Sequence, residues 1–517
     1  MSETDCIIEA GTVLIGVAPD GTMALRHDAA IRVHGGRIAQ IGPIAAVGFG
    51  NDHLPRYGSR RLVAMPGFTN AHHHFGITPL MSGVPFAPLE LWLPRFRAMR
   101  QIGPRLDTLY SAIEMLESGT TSVHHIHSGL VGTPEEWAAT SNTVLSAYGE
   151  IGMRAGYSFM MRDRSILGYG PDADLIAQFP KALRDWITPR LAPACVPTSE
   201  YMAFFERIRS LWEREEPDRV RMHLAPANLH WCSDDALQLI AETARTSGAN
   251  IHMHLVETER QARYARESFG CSAVAHLARL GVLGPNVTIG HGNWLDSEDI
   301  DILAECGCSA CHNASSGLRL GSGIAPVNAM RAKSIPIALG IDQSNLCDDR
   351  DMLAEIKLAW ALHRETGLFS ERPDAAAILQ MATEHGAKSA GFGGLAGRLE
   401  PGYMADIVLL DRDALERPFV SSATPISETV LHRATKSAID KVFVGGDLVV
   451  DGGRVIRVDR DAVMAEIKDK LSAPATESET EASEMVNLLL PFIERHLAHS
   501  GLDAGYRPYR FNAMADQ

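Results

Sequence analysis

The chain has 517 residues, 45% of them hydrophobic and 21% charged, with a net charge of -15 and a pI near 5.8. That length suits one large domain with a smaller companion, and the composition is that of an ordinary globular protein. The negative balance argues against binding nucleic acid polymers or anionic membranes through bulk charge, while leaving a small nitrogen heterocycle open as substrate.

Residues 5–62 read as β-rich, with short β-branched runs such as CIIEAGTVLIG and RRLVAM and glycines at the turns. Residues 396–457 read the same way. Two β segments bracketing a long middle region predict a small β-sandwich domain made from both chain ends, 1–62 with 396–458. Between them, eight apolar β-like runs alternate with stretches of helical period: 62–72, 120–127, 153–160, 219–225, 250–256, 286–291, 307–312 and 335–342. This predicts an α/β fold, a (β/α)8 TIM-like barrel over 63–395. Ser233 as N-cap and Gly248 as terminator predict a helix over 233–248. The stretch 75–110 reads as the longest insertion and as a lid or substrate-contacting loop.

The remainder, 459–517, reads as a helical extension: a helix over AVMAEIKDKLSA, an acidic polar linker PATESETEASE, an amphipathic helix MVNLLLPFIERHLAHSG and an aromatic-basic end YRPYRF. Packing or oligomer contact is its expected role, with covering of a neighbouring active site as the sharper reading. The eight cysteines have no framework spacing, and Cys306, Cys308 and Cys311 read as buried thiols in a reducing compartment. The N-terminus shows no basic-then-apolar signal, and no apolar run approaches the ~20 residues that span a bilayer. A soluble cytoplasmic protein is expected.

Four of the β-like runs end in residues that bind metals or move protons. His72 and His74 alternate on one strand, so their imidazoles share a face while His73 points away. Two nitrogens converging at a strand end suit a divalent metal. His254 closes the fifth run and supplies a third nitrogen; His252, one layer deeper, is the alternative ligand. Glu257, three residues on, can donate a proton to a substrate nitrogen if a dry pocket raises its pKa. His291 closes the sixth run and either orients the attacking water or is itself a ligand. Asp342 closes the eighth, where a carboxylate can complete the coordination shell and accept the proton of water. An unpaired Asp at that depth would be costly.

These motifs resemble the amidohydrolase superfamily, in its branch of cytosine deaminase-like, S-adenosylhomocysteine deaminase-like and triazine hydrolase-like enzymes. The resemblance runs from about residue 7 to about 455. It rests on MPGFTNAHHH, MLESGTTSV, HMHLVETERQ, LRLGSGIAPV, ATEHGAKSAG and GRLEPGYMADIVLLD. It implies one divalent metal per subunit, zinc or alternatively iron, held by His72, His74, His254 and Asp342. Glu257, His291 and Asp342 become the acid–base groups. The implied reaction is hydrolytic deamination of an amino-substituted nitrogen heterocycle by metal-activated water. The alternative is displacement of chloride or an alkylamine, or cleavage of an amide, urea or thiocarbamate, at the same site. A homo-oligomer, dimer or tetramer, is a family-level expectation. A binding protein that kept the fold and lost the chemistry is the reading from another class, and the full ligand set argues against it.

The pocket loops depart from the branch. HNASSGLR stands where many deaminases have H-C-P-x-S-N-L-K, and DQSNLCDDRDML follows the strand-eight Asp. The acidic cluster Asp348, Asp349 and Asp351 reads as a solvated or Arg350-paired loop. Trp92, His125, His127, Asn228, His230 and His312 are the candidate substrate contacts.

Overall fold

The computed structural model describes residues 5–129, 132–191 and 194–498. Four strands come first, β1 (Cys6–Val17), β2 (Met23–His34), β3 (Arg37–Pro43) and β4 (Arg56–Pro66). Eight barrel strands follow: β5 (Phe68–His73), β6 (Thr120–His127), β7 (Arg154–Met161), β8 (Val220–Pro226), β9 (Asn250–Leu255), β10 (Val287–His291), β11 (Ser309–His312) and β12 (Ile337–Leu339). The chain then returns with β13 (Ile407–Asp411), β14 (Ile439–Val444), β15 (Asp447–Asp451) and β16 (Arg454–Val455).

Strands β5 to β12 pair in parallel in sequence order. All eight residues of β7 are buried, as strands covered on both faces require. The ends meet where His73 bridges Asp342 and the Asp342 amide donates to the His72 carbonyl at 2.8 Å. All eight expected barrel strands are present, so the fold is a TIM-like barrel. The second sheet runs β16-β15-β14-β13-β4-β1-β2-β3, with the two chain ends joined at the β13–β4 pair. Ile8, Ile31, Ile407 and Phe443 share its separate apolar core, so strands from both ends pack on one another. Strand β4 stays in this sheet as far as Pro66.

The helix Asp234–Ser247 begins and ends as its sequence dictates: Ser233 accepts the Ala236 amide, and Gly248 adopts φ 71°. Two expectations change. The connection 162–219 between β7 and β8 is longer than the 75–110 insertion and carries three helices, Asp172–Ile176, Lys181–Leu191 and Thr198–Glu215. The acidic PATESETEASE segment is mostly helical, because Glu477–Ala498 forms one helix. Its start is a capping box: the Glu479 amide donates to Thr476 Oγ1 at 3.2 Å, and the Glu479 carboxylate accepts the Thr476 amide at 2.8 Å. The helix expected over 462–473 is Arg460–Ser472. The YRPYRF end lies outside the described residues. No helix among those residues is long and apolar enough to cross a membrane.

Candidate metal centre and active site

The C-terminal ends of β5, β9, β10 and β12 bring His72, His74, His254, His291 and Asp342 together at the barrel mouth, the face where such barrels carry their chemistry. Close approach is possible because two positions lack a side chain. A Cβ at Gly340 would lie 2.5 Å from the His72 Cβ, and one at Gly290 would lie 3.1 Å from the His72 Cε1. Val256, His291 and Asp342 hold left-handed backbone, with φ of 42°, 67° and 66°. Such conformations cost about 1–3 kcal/mol each outside glycine and cluster where function needs a side chain aimed.

His74 is the hub. Its Nε2 lies 3.2 Å from the His72 Nε2, 3.0 Å from the His254 Nε2 and 3.4 Å from the Asp342 Oδ1. Its Nδ1 donates to the Ile126 carbonyl at 2.8 Å. A carbonyl only accepts, so a neutral His74 carries its proton on Nδ1 and presents a single lone pair from Nε2. One lone pair can accept one hydrogen bond, yet three polar atoms crowd it. A cation bonded to all four atoms resolves this. Nitrogens about 2.0–2.1 Å from a tetrahedral zinc stand about 3.3 Å apart. Asp342 Oδ1 is buried without a hydrogen-bond partner among the described residues, while its Oδ2 accepts from Ser316 Oγ at 2.5 Å. The residues present therefore fit a divalent metal.

His252 takes the deeper place. Its Nε2 is 2.8 Å from the His72 Nδ1, behind the cluster rather than in it. It also forms a second buried triad with His72 and Cys311. Beneath it, the His124 and His223 rings meet at a tilt inside the barrel, with centroids 4.4 Å apart. Burial pushes the pKa of His72 and His254 well below the usual imidazole value, and that of His291 down to about 4 despite the opposing pull of Asp342. Neutral imidazoles result, the form that binds metals.

Glu257 is buried. Its Oε1 accepts from Ser322 Oγ at 3.3 Å, and its Oε2 is 3.8 Å from the His291 Nε2. Its backbone is held on both sides, the amide donating to Gln261 at 2.8 Å and the carbonyl accepting from Asn293 at 2.9 Å. Burial, then the charges of Asp342 and Glu90, hold its carboxyl well above the usual range, which favours the protonated form. Asn313 Nδ2 stands 3.3 Å from the His291 Nδ1.

These groups open into a cavity of about 410 Å³ whose walls include Phe75, Phe96, Met160, Trp231 and Leu497. Asn228 and His230 line it, as expected. Four other expected contacts do not. Trp92 is fully buried in the main core, with its ring 4.4 Å from Phe96. His125 faces outward from β6, 2.9 Å from the Tyr148 hydroxyl, and His127 stacks on it at 6.0 Å. The two share a face, but it is the helix-facing one. His312 is spent on His363, 2.9 Å away. The acidic loop is satisfied by its own neighbourhood: Asp349 pairs with Lys436 at 2.7 Å, Asp348 accepts from Thr78 at 2.7 Å, and Asp351 caps a helix.

Several lining residues carried no motif in the sequence. Glu90 accepts from the Tyr169 and Thr258 hydroxyls at 2.6 and 2.8 Å. Arg162 lies over the Trp231 ring at 4.2 Å. Burial and the charge of Arg97 lower its pKa to about 10. Neither Arg97 nor Arg162 forms an ion pair among the described residues. Their distance in sequence from the metal motifs hid them.

Comparison with known proteins bears on the family and the fold. The model of the amidohydrolase family matches residues 63–449. A curated 5-methylthioadenosine/S-adenosylhomocysteine deaminase of Pelotomaculum thermopropionicum is 28% identical over 470 residues, covering 90% of this chain and 97% of that one. An adenosine deaminase from Xanthomonas campestris with bound zinc superposes with a TM-score of 0.74 at 24% identity, covering 90% of this chain and 97% of that one. A triazine hydrolase of Arthrobacter aurescens gives 0.76 at 19%, covering 91% and 100%. The likeness to the two solved structures shows the fold.

Proposed function

The chain belongs to the amidohydrolase family, and on that premise we propose that it hydrolytically removes ammonia from an amino-substituted nitrogen heterocycle. The observation that supports this best is the pairing of a cation-shaped cluster around His74 with a buried Glu257 beside it whose pKa is raised. His72, His74, His254 and Asp342 would hold one divalent ion, and a donor set of three imidazoles and one carboxylate suits zinc. Bound there, the ion would supply Lewis acidity and lower the pKa of a water toward about 7.

The chain's own residues do the rest. Asp342 takes the proton from the attacking water while the Ser316 hydroxyl fixes its other oxygen. His291, steadied by Asn313, orients that water toward the ring carbon. Glu257 gives its proton to the adjacent ring nitrogen, so negative charge does not accumulate there. A C–O bond forms, the exocyclic C–N bond breaks, Asp342 returns its proton to the departing amine as ammonia leaves, and the proton of the new hydroxyl passes to Glu257, which restores its acid form as the ring carbonyl forms. The cavity walls offer aromatic faces for a flat ring. Arg97 and Arg162 line the cavity in no ion pair among the described residues, Arg97 feeling the attraction of Asp172, and a substrate bearing a negatively charged group could also be held there.

We further assign the chain's divisions as 1–62 with 396–458 for the small β domain, 63–395 for the barrel and 459–517 for the extension. The cytoplasm is its proposed location, and assembly as a homo-oligomer is proposed from the family. The testing experiment is a mass-spectrometric turnover screen of zinc-loaded protein. Its panel holds amino-pyrimidines, purine nucleosides, amino- and chloro-triazines, phenylureas and anilides. Loss of ammonia with gain of water supports deamination. Loss of halide, alkylamine or an acyl group would move the chain to the alternative reaction at the same site.

A further inference from the structure

The segment 162–191 lies outside the barrel's main apolar core. Its buried side chains Ile166, Leu175, Leu183, Trp186 and Ile187 form a separate cluster, and the partners that complete it are Val486, Leu489, Leu490 and Ile493. Those four recur at helical spacing along one stripe of helix 477–498. The Phe179 and Phe492 rings meet edge-on at 5.3 Å. The helix begins 28 residues beyond the family match, which ends at 449.

Both ends of this helix are tied to the active-site surround. At its start, Arg100 pairs with both Glu479 oxygens, at 2.7 and 2.8 Å, and donates to the Lys470 and Ala473 carbonyls. At its end, the Leu497 carbonyl accepts from Arg260 at 2.9 Å, three residues from Glu257. The Leu497 side chain lines the catalytic cavity beside Ile166 and Leu167. The roof is latched to the catalytic loop through Glu90, which binds Tyr169 of the inserted segment and Thr258, the neighbour of Glu257.

We propose that the C-terminal helix is a positioning element for substrate recognition. It supports the 162–191 segment as a roof over its own chain's cavity, and through Leu497 it forms part of the outer wall. Without it, the apolar side of the segment loses all its fully buried partners from outside the segment and keeps only part-buried ones such as Leu91 and Ala98, and the outer half of the cavity opens to solvent. The inner half, around His74 and Glu257, belongs to the barrel and keeps its shape. This rests on the cavity being the active site, and it extends the proposed function to a part of the chain that the family does not define.

The test compares the full chain, a version ending at Pro474, and the full-length variant Leu490→Asp, all zinc-loaded. Hydrogen exchange is read by mass spectrometry over 162–191 and over β9–β10, zinc content is measured, and kinetics use 5'-methylthioadenosine as probe. Exchange across 162–191 should rise at least ten-fold in both altered proteins, with β9–β10 protection and zinc content unchanged. KM for the probe should rise ten-fold or more, with kcat reduced less than three-fold. Unchanged exchange over 162–191, or equal loss of protection in β9–β10, overturns the roof. So does a loss of kcat at constant KM. If even the full chain leaves the probe intact, the nucleoside-deaminase reading loses support, while the exchange data still decide the roof.

Discussion

The Nε2 atoms of His74 and His254 face each other at 3.0 Å, while the other nitrogen of His74 is committed to a backbone carbonyl. Neutral imidazoles held in this way, with an unpartnered carboxylate oxygen 3.4 Å off, form an arrangement that a cation completes. His74→Ala should therefore lose metal. Elemental analysis after gel filtration is expected to give about one zinc per wild-type chain and less than a tenth of that in the variant. Full occupancy would remove His74 from the ligand set.

Because metal binds the folded chain and not the unfolded one, chelation should lower stability. At a free metal concentration 100 times the dissociation constant the linkage is worth about 2.7 kcal/mol. Thermal unfolding with and without a strong chelator measures it, and an unchanged midpoint would contradict a folded-state metal site.

Burial and neighbouring carboxylates raise the pKa of Glu257 well above the usual carboxyl range, which favours its acid form. Turnover should fall as pH rises through its raised pKa, where the proton is lost. Glu257→Gln should retain zinc and lose about 10²–10⁴ in kcat, the usual worth of general acid–base catalysis. Its remaining activity should lack that alkaline decline. A pH–rate profile identical in shape to wild type would exclude Glu257 as the proton donor.

Much of this was legible in the sequence. A strand presents alternate residues to one face, so His72 and His74 had to converge. The ends of the β-like runs named His254, His291 and Asp342 without any structure. The outer pocket was not legible, for physical reasons. Which face of β6 points inward depends on register with its neighbours, and His125 and His127 fell on the helix side. Trp92 has the chemistry of a stacking residue, but its loop folds it into the core. Arg97, Arg162 and Tyr169 meet only because two long connections fold over the same barrel mouth, which no local pattern encodes. The capping box at Thr476 and Glu479 was readable, and the acidic composition around it masked the signal.

Ser316 holds the oxygen of Asp342 that does not face His74. Removing such a support typically costs 10–100-fold in metal affinity or activity. Ser316→Ala is expected to weaken zinc binding within that range, measured by competition with a chelating dye, with little change in unfolding temperature when zinc is saturating.

Glu355 reports on the same region through stability. It is fully buried; its Oε1 accepts the Ser315 amide at 3.0 Å and its Oε2 has no partner among the described residues. Burial raises its pKa from 4.5 to about 7. A raised folded-state pKa gives a contribution fully present below the unfolded value and lost as pH rises through the folded one. The Glu355 contribution should therefore decline from about pH 4.5 to pH 7, by up to roughly 3 kcal/mol, against the opposite trend of the buried neutral imidazoles. Glu355→Gln should remove that decline, so the stability difference between wild type and variant should change across this window in urea titrations, and a constant difference would assign no such linkage to Glu355.

The deaminase assignment is tested most directly by turnover of the zinc-loaded chain in ¹⁸O-labelled water, with ammonia and product counted together on the amino-heterocycle that reacts fastest. One ammonia released per ¹⁸O entering the ring product, with neither formed by Glu257→Gln above a hundredth of the wild-type rate, is the expected result. Product formed without ammonia, or no product from any amino-heterocycle by a chain with full zinc, would contradict it.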